Sequence, residues 1–283
     1  MMRSVLGADL PAKASRRRGA VAALAVAVAM LGVGAVDVAA ARAEALLVAI
    51  EGEYPPFNVT DKKGRLAGFD VDIANALCKA IDASCKLVKQ QWDRMIPDLA
   101  AGKYDLVVSS MSITSARRKQ IDFTRPYYQT PAKFVARKGA GIEVSPDGLK
   151  GRRLGVQRAT SHERYLTSLY GDSAVLVRYD TLPKAQADMT EGKVDLLFAD
   201  AMALSEGFLK TKKGKDFEFV GPDFRDSRWL GQGIGVGVRK GRADLVGQLN
   251  EALEAIKADG TYARIEQAYF DFAIGQPQAV ASQ

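Results

Sequence analysis

The chain has 283 residues, 47% of them hydrophobic and 26% charged, which is enough apolar content for a real core and enough length for one large or two small domains. Its net charge of +7 is concentrated at the start: Arg3, Lys13, Arg16, Arg17, Arg18 and Arg42 stand against Asp9 and Asp37, and the remainder carries only +3. That balance removes the case for nucleic acid as a partner, and a single histidine with two cysteines makes a poor metal set.

Arg16-Arg17-Arg18 leads into an uncharged run, Gly19 to Val36, and then into Ala41-Arg42-Ala43, the small-x-small form of an export cleavage site. Cleavage after Ala43 is expected. The run is long enough that an uncleaved N-terminal anchor is the alternative, although its Gly- and Ala-rich composition is weakly hydrophobic. No second long apolar segment follows, so the product should be soluble and exported, and no cysteine near position 43 suggests a lipid anchor.

Ala45 to Ile50 reads as a strand, and Phe69, Ile73, Leu77 and Ala80 recur at helical spacing over residues 69–80. Cys78 and Cys85 are seven residues apart, so on one continuous helix they would lie two turns, roughly 10 Å, from each other, beyond disulfide reach. The helix must therefore end between them, with Asp82-Ala83-Ser84 as its stop before a strand from Cys85 to Lys89. In an oxidising compartment the pair then reads as a local disulfide. Metal binding is the rival, but the only histidine, His162, is far away in sequence.

A helix is expected over 93–101, opened by Trp92, with Pro97 in its first turns. Strands follow over 106–109, 134–137, 154–156, 175–178 and 196–199, with helices over 160–170 and 183–191 between them. Gly102-Lys103-Tyr104-Asp105-Leu106-Val107-Val108 recurs 90 residues later as Gly192-Lys193-Val194-Asp195-Leu196-Leu197-Phe198. Each copy ends an amphipathic segment at glycine and enters an apolar tract, which is half of a βαβ unit, so the repeat suggests two α/β lobes of similar build. Chance recurrence of a common helix-to-strand transition is the alternative. Gly233-Ile234-Gly235-Val236-Gly237-Val238 lacks the Lys-Ser or Lys-Thr of a phosphate loop and suits a strand where backbones approach closely. Residues 244–256 and 261–269 are amphipathic and should return to the first lobe.

Ligands of open α/β sheets sit beyond the carboxyl ends of the strands. There the chain places Ser109 and Ser110, and Asp200. The stretch Ser109 to Arg118 combines hydroxyls and amides with arginine at the start of a short helix, which suits a carboxylate; an ordinary Thr114 cap with solvated arginines is the alternative. Glu51 and Tyr54 follow the first strand and Trp92 opens a helix. An acid beside two aromatic faces suits a cation, although an aromatic packed under the Pro55-Pro56 loop is the commoner arrangement.

The ordered set Glu51-x-x-Tyr54-x-Pro56-Phe57, Gly68-Phe69-Asp70-Val71-Asp72, Ser109 to Thr114 with Arg117, Gly155-Val156 leading to Thr160-Ser161, and Ser205-Glu206-Gly207-Phe208 resembles the periplasmic polar amino-acid-binding proteins of ABC importers. Within these it is most similar to the lysine/arginine/ornithine- and histidine-binding proteins. The similarity covers nearly the whole chain after residue 43, including Lys150-Gly151, the Cys78 and Cys85 spacing, Asp259-Gly260-Thr261-Tyr262 and Tyr269-Phe270-Asp271-Phe272.

The resemblance implies an α/β, two-lobe, type II binding-protein fold, each lobe a central, mostly parallel sheet flanked by helices. It implies a signal peptide over 1–43, a first lobe over 44–130 and 229–283, and a second lobe over 131–228. Two hinge crossings would join them, near 129–133 and 228–233. Arg117, Ser112, Thr160 and Ser161 would take the ligand carboxylate, and Asp200 and Ser110 the α-ammonium. Tyr54 and Trp92 would sandwich the side chain, and Glu51 and Ser109 would meet its cationic end. Basic-amino-acid binders of this family carry Asp and Phe where Glu51 and Trp92 stand, whereas binders of arginine-derived opines can carry Glu and Trp. Gln157, Arg158 and His162 replace Leu, Gln and Gln, and Gln157 and His162 join the possible ligand contacts. The implied function is delivery of a basic amino acid or opine to a membrane permease, by a periplasmic monomer that needs no cofactor and no metal. An exported dehydratase on the same scaffold and a ligand-sensing domain are the alternatives.

Overall fold

The protein is described by a computed structural model over residues 45–275. The expected leader and its cleavage point at Ala43 lie outside the described residues. Strand β1 (Leu46–Ile50) is followed by a small antiparallel sheet of β2 (Glu53–Tyr54), β3 (Asn58–Thr60) and β4 (Leu66–Ala67), and then by helix α1 (Phe69–Ala80). Helix α1 buries Phe69, Ile73 and Leu77, the stripe its spacing predicts, and ends at Ala80 so that Cys78 and Cys85 can meet with Cα atoms 6.2 Å apart in a disulfide. Next come β5 (Cys85–Lys89), a 3-10 turn over Trp92–Arg94, α2 (Met95–Ala100), β6 (Leu106–Val107), α3 (Ser115–Arg118) and β7 (Asp122–Phe123).

The middle of the chain supplies β8 (Ala132–Arg137), β9 (Arg153–Gln157), α4 (Ser161–Tyr170), β10 (Val175–Tyr179), α5 (Leu182–Thr190) and β11 (Leu196–Asp200). It continues through α6 (Ala201–Leu204), a π turn over Ser205–Leu209, β12 (Phe217–Phe224) and α7 (Ser227–Leu230). The return segment gives β13 (Gly237–Val238), α8 (Ala243–Ala258) and α9 (Thr261–Gln267), and α8 and α9 pack against α1.

Two five-stranded sheets form the two lobes, in the orders β5-β1-β6-β13-β7 and β10-β9-β11-β8-β12. In each, the fourth strand runs antiparallel to both of its neighbours and the others are parallel to one another. The recurrent Gly-Lys-x-Asp segment does the same work twice. Gly102 and Gly192 adopt φ of +75° and +72°, where glycine carries no Cβ penalty. Asp105 Oδ2 accepts the Leu47 N–H at 2.9 Å, and Asp195 Oδ2 accepts the Arg153 N–H at 2.7 Å. Lys103 and Lys193 close equivalent ion pairs with Asp98 and Asp188, at 3.1 and 3.0 Å.

Three expectations are adjusted. The helix opened by Trp92 begins as a 3-10 turn, and Pro97, which has no N–H to donate, falls in the first turn of α2. The strand expected over 106–109 is shortened because Ser110 takes φ +51° and turns the chain away. The glycine-rich run contributes only Gly237 and Val238 to a strand, while Ile234 bridges singly to Ser112 and Tyr128. A Cβ at Gly235 would stand 2.7 Å from Ile113 Cδ1, so the close approach itself is real.

Candidate functional site

All of the expected ligand contacts except Asp200 line one cavity of about 290 Å³: Glu51, Tyr54, Trp92, Ser109, Ser110, Ser112 and Arg117 from the first lobe side, and Gln157, Thr160, Ser161 and His162 from the second. Asp200 borders an adjoining cavity of about 500 Å³ that shares Tyr54, Ser110, Ser112 and His162 with the first. The cavities lie at the ends of β1, β6, β9 and β11, as the strand-end argument predicts.

Arg117 is buried and held in place by backbone. Thr114 caps α3, its Oγ1 accepting the Arg117 N–H at 3.3 Å, so the capping alternative and the buried guanidinium are both realised. The guanidinium donates to the Ser112 carbonyl at 3.0 Å and to the Ala159 carbonyl at 3.2 Å, and lies 5.2 Å from the centre of the Trp92 ring. No carboxylate among the described residues pairs with it. Burial pulls its pKa down to about 10, with Arg164 adding to the effect. The site therefore contains a desolvated cation whose counter-charge is not supplied by the residues described.

Glu51 is also buried. Its N–H donates to Ser109 Oγ at 3.0 Å, and its Oε1 accepts the Gln157 amide at 2.6 Å. Burial pushes its carboxyl up to about 8 against the opposing effect of that hydrogen bond. Tyr54 and Trp92 are both almost wholly covered, and the Trp92 indole Nε1 makes no hydrogen bond among the described residues.

Thr160 begins α4 with its Oγ1 accepting the Glu163 N–H at 3.0 Å and donating to the Gln157 carbonyl at 2.7 Å. Ala159 takes φ +57° just before it, which presents its carbonyl to Arg117. Ser161 Oγ meets Ser112 Oγ at 3.0 Å across the cleft. His162 packs edge-on to Phe198, and burial with the Arg117 charge lowers its pKa to about 3, so it is neutral. Asp200 caps α6, its Oδ1 accepting the Met202 and Ala203 N–H groups at 2.8 and 3.1 Å, while Thr130 donates to Oδ2. Burial raises its pKa to about 6.

Two residues that shape the site were not assigned a role from the sequence. Asp70, buried, accepts from Asn58 Nδ2 at 2.7 Å, Ser110 Oγ at 2.8 Å and Tyr127 OH at 2.6 Å, and so fixes Ser110 in its left-handed conformation. Asn58 in turn accepts the Gly52 N–H at 2.9 Å and ties the loop after β1 to α1. The Gly68-Phe69-Asp70 motif was visible, but nothing in its spacing shows that its acid points at the turn after β6.

The sequence profile of the bacterial extracellular solute-binding proteins, family 3, matches residues 46–272. An L-arginine-binding protein of Pseudomonas aeruginosa is 43% identical over 226 residues, covering 80% of this chain and 87% of its own. The lysine/arginine/ornithine-binding periplasmic protein of Escherichia coli is 37% identical over 234 residues, covering 82% and 90%. Among solved structures, an arginine-specific periplasmic binding protein of Salmonella typhimurium matches with a TM-score of 0.74 at 32% identity, over 81% of this chain and 100% of that one. The chain belongs to the bacterial extracellular solute-binding proteins, family 3.

Proposed function

We propose that this protein captures a basic amino acid, arginine first among them, outside the cytoplasm and delivers it to the permease of an ABC importer by closure of its two lobes. The observation that carries the reading is the buried Arg117, which has no counter-ion among the described residues, in a cavity that also holds the buried acid Glu51. An α-amino acid with a cationic side chain matches both: its carboxylate takes the guanidinium, and its distal cation takes Glu51 with the Tyr54 and Trp92 rings beside it. Ser112, Thr160 and Ser161 assist at the carboxylate, Ser109 supports Glu51, and Asp200 with Ser110 receives the α-ammonium. Arginine-derived opines are the second ligand class, supported by the resemblance, in which opine binders can carry Glu and Trp at the places of Glu51 and Trp92.

The lobes divide at 44–130 with 229–283, and 131–228. The chain acts as a periplasmic monomer after cleavage at Ala43 and performs no chemistry on its ligand. Arginine and lysine binding by the similar proteins supports the ligand class. Calorimetric titration with arginine, ornithine, lysine, histidine, octopine, nopaline and glutamine tests it: arginine or an arginine-derived compound should bind most tightly. Glutamine bound as tightly as arginine would refute the cationic site, and ligand recovered chemically altered would favour the dehydratase reading.

A further inference from the structure

Gln157 stands at the carboxyl end of β9, on the opposite lobe from Glu51, and is almost fully buried. Its Nε2 donates to Glu51 Oε1 at 2.6 Å and to the Asp180 carbonyl at 3.2 Å. A backbone carbonyl can only accept, so the amide face turned toward Glu51 and Asp180 is the NH2 group. Glu51 Oε2 makes no hydrogen bond among the described residues. The amide thus occupies one carboxylate oxygen and leaves the other for a ligand.

Other charges around Glu51 do not replace this contact. Asp70 on α1 and Glu53 on β2 disfavour its ionised form, and Lys89 on β5 favours it but is itself paired with Glu53 at 3.1 Å. An outer cavity bordered by Glu51 and Trp92 also carries Arg158 and Lys184, both ion-paired with Asp180, at 2.7 and 3.0 Å, and Asp93. Arg117 and neutral His162 line the inner cavity. The Gln157 amide is the one neutral donor in this set that touches the Glu51 carboxyl.

We propose that Gln157 is a specificity-determining positioning residue: its amide, reaching across the cleft, holds the Glu51 carboxyl as an acceptor for the ligand's cationic end and so sets the preference for cationic over neutral side chains. The inference rests on the functional reading above. A hydrogen-bond donor favours the ionised carboxyl, and without it the buried group keeps its proton to higher pH. Cation binding is coupled to loss of that proton, so arginine affinity should rise with pH until Glu51 is ionised in the free protein, at about 8, and then level off.

The test is titration of parent and Gln157→Leu with L-arginine and with its neutral isostere L-citrulline from pH 6 to 9.5. In the variant, arginine affinity at pH 7 should fall about tenfold, the level-off should move up by about one pH unit, and citrulline affinity should change less than about threefold. Gln157→Met, unbranched like glutamine but without a donor, serves if the leucine variant is poorly folded. Equal losses for both ligands with an unmoved pH profile would overturn the inference while leaving the basic-amino-acid reading intact. A parent protein that binds arginine no better than citrulline at any pH would overturn both.

Discussion

A guanidinium kept buried on two carbonyls and an indole face, as Arg117 is, gains most from a planar anion that accepts two parallel N–H bonds. Arg117→Lys keeps the charge but loses the fork, and should weaken arginine binding by about 2–4 kcal/mol in a calorimetric titration, with unchanged affinity excluding the carboxylate role. His162 makes a second prediction. Its folded pKa of about 3 lies below the unfolded value of 6.5, so between these the unfolded chain binds the extra proton and stability is lost as pH falls through 6.5. His162→Gln removes that loss. Because the ring retains partial exposure at the cavity, the variant should gain about 1 kcal/mol over the parent at pH 5 relative to pH 8, read from urea melts. At this scale the sequence was legible where a residue type announces its chemistry, as Arg117, Glu51 and Trp92 do. It was silent where the role depends on a contact across the fold: Asp70 reaches Ser110 forty positions away, and Gln157 reaches Glu51 across 106.

Among elements, the recurrent Gly-Lys-x-Asp segment was readable because two of its requirements are local, a left-handed glycine and a lysine paired with the preceding helix, although its aspartate bonds to a neighbouring strand that the spacing alone does not identify. The short β6 was not, because what ends it is the Ser110 turn held by Asp70 from another element. The π turn over Ser205–Leu209 shows the same limit. A Cβ at Gly207 would stand 2.7 Å from the Pro55 carbonyl, so this glycine is set by a contact between lobes that its neighbours in sequence do not reveal. The disulfide between Cys78 and Cys85 was expected from an export leader and a helix that stops between them, and it is formed. It closes a short loop, so Cys78→Ala with Cys85→Ala should cost about 2 kcal/mol in chemical denaturation. Arginine affinity should be unchanged, since neither residue lines the cavity.

For the whole molecule, the two α/β lobes follow from alternating strands and helices, and the repeat marks the third strand of the run the sheets share, β5-β1-β6 and β10-β9-β11. What composition could not give is how the chain passes between the sheets. It leaves the first after β7 and returns to it at β13, and the two passages run side by side: Tyr128 bridges Ile234, and Ala132 pairs with Phe224. Both ends of the intervening segment therefore emerge together, which makes that segment a cassette in the topological sense. Removing residues 131–230 and joining the cut ends with a few glycines and serines should leave a first lobe that folds alone, with native-like circular dichroism and a cooperative melt, because the closure to be bridged is already a hydrogen-bonded one. The isolated lobe should bind no arginine, having lost Gln157, Thr160 and Ser161. By the same geometry, the excised cassette, its own cut ends joined and new termini opened in one of its exposed loops, should fold as a circular permutant of the second lobe.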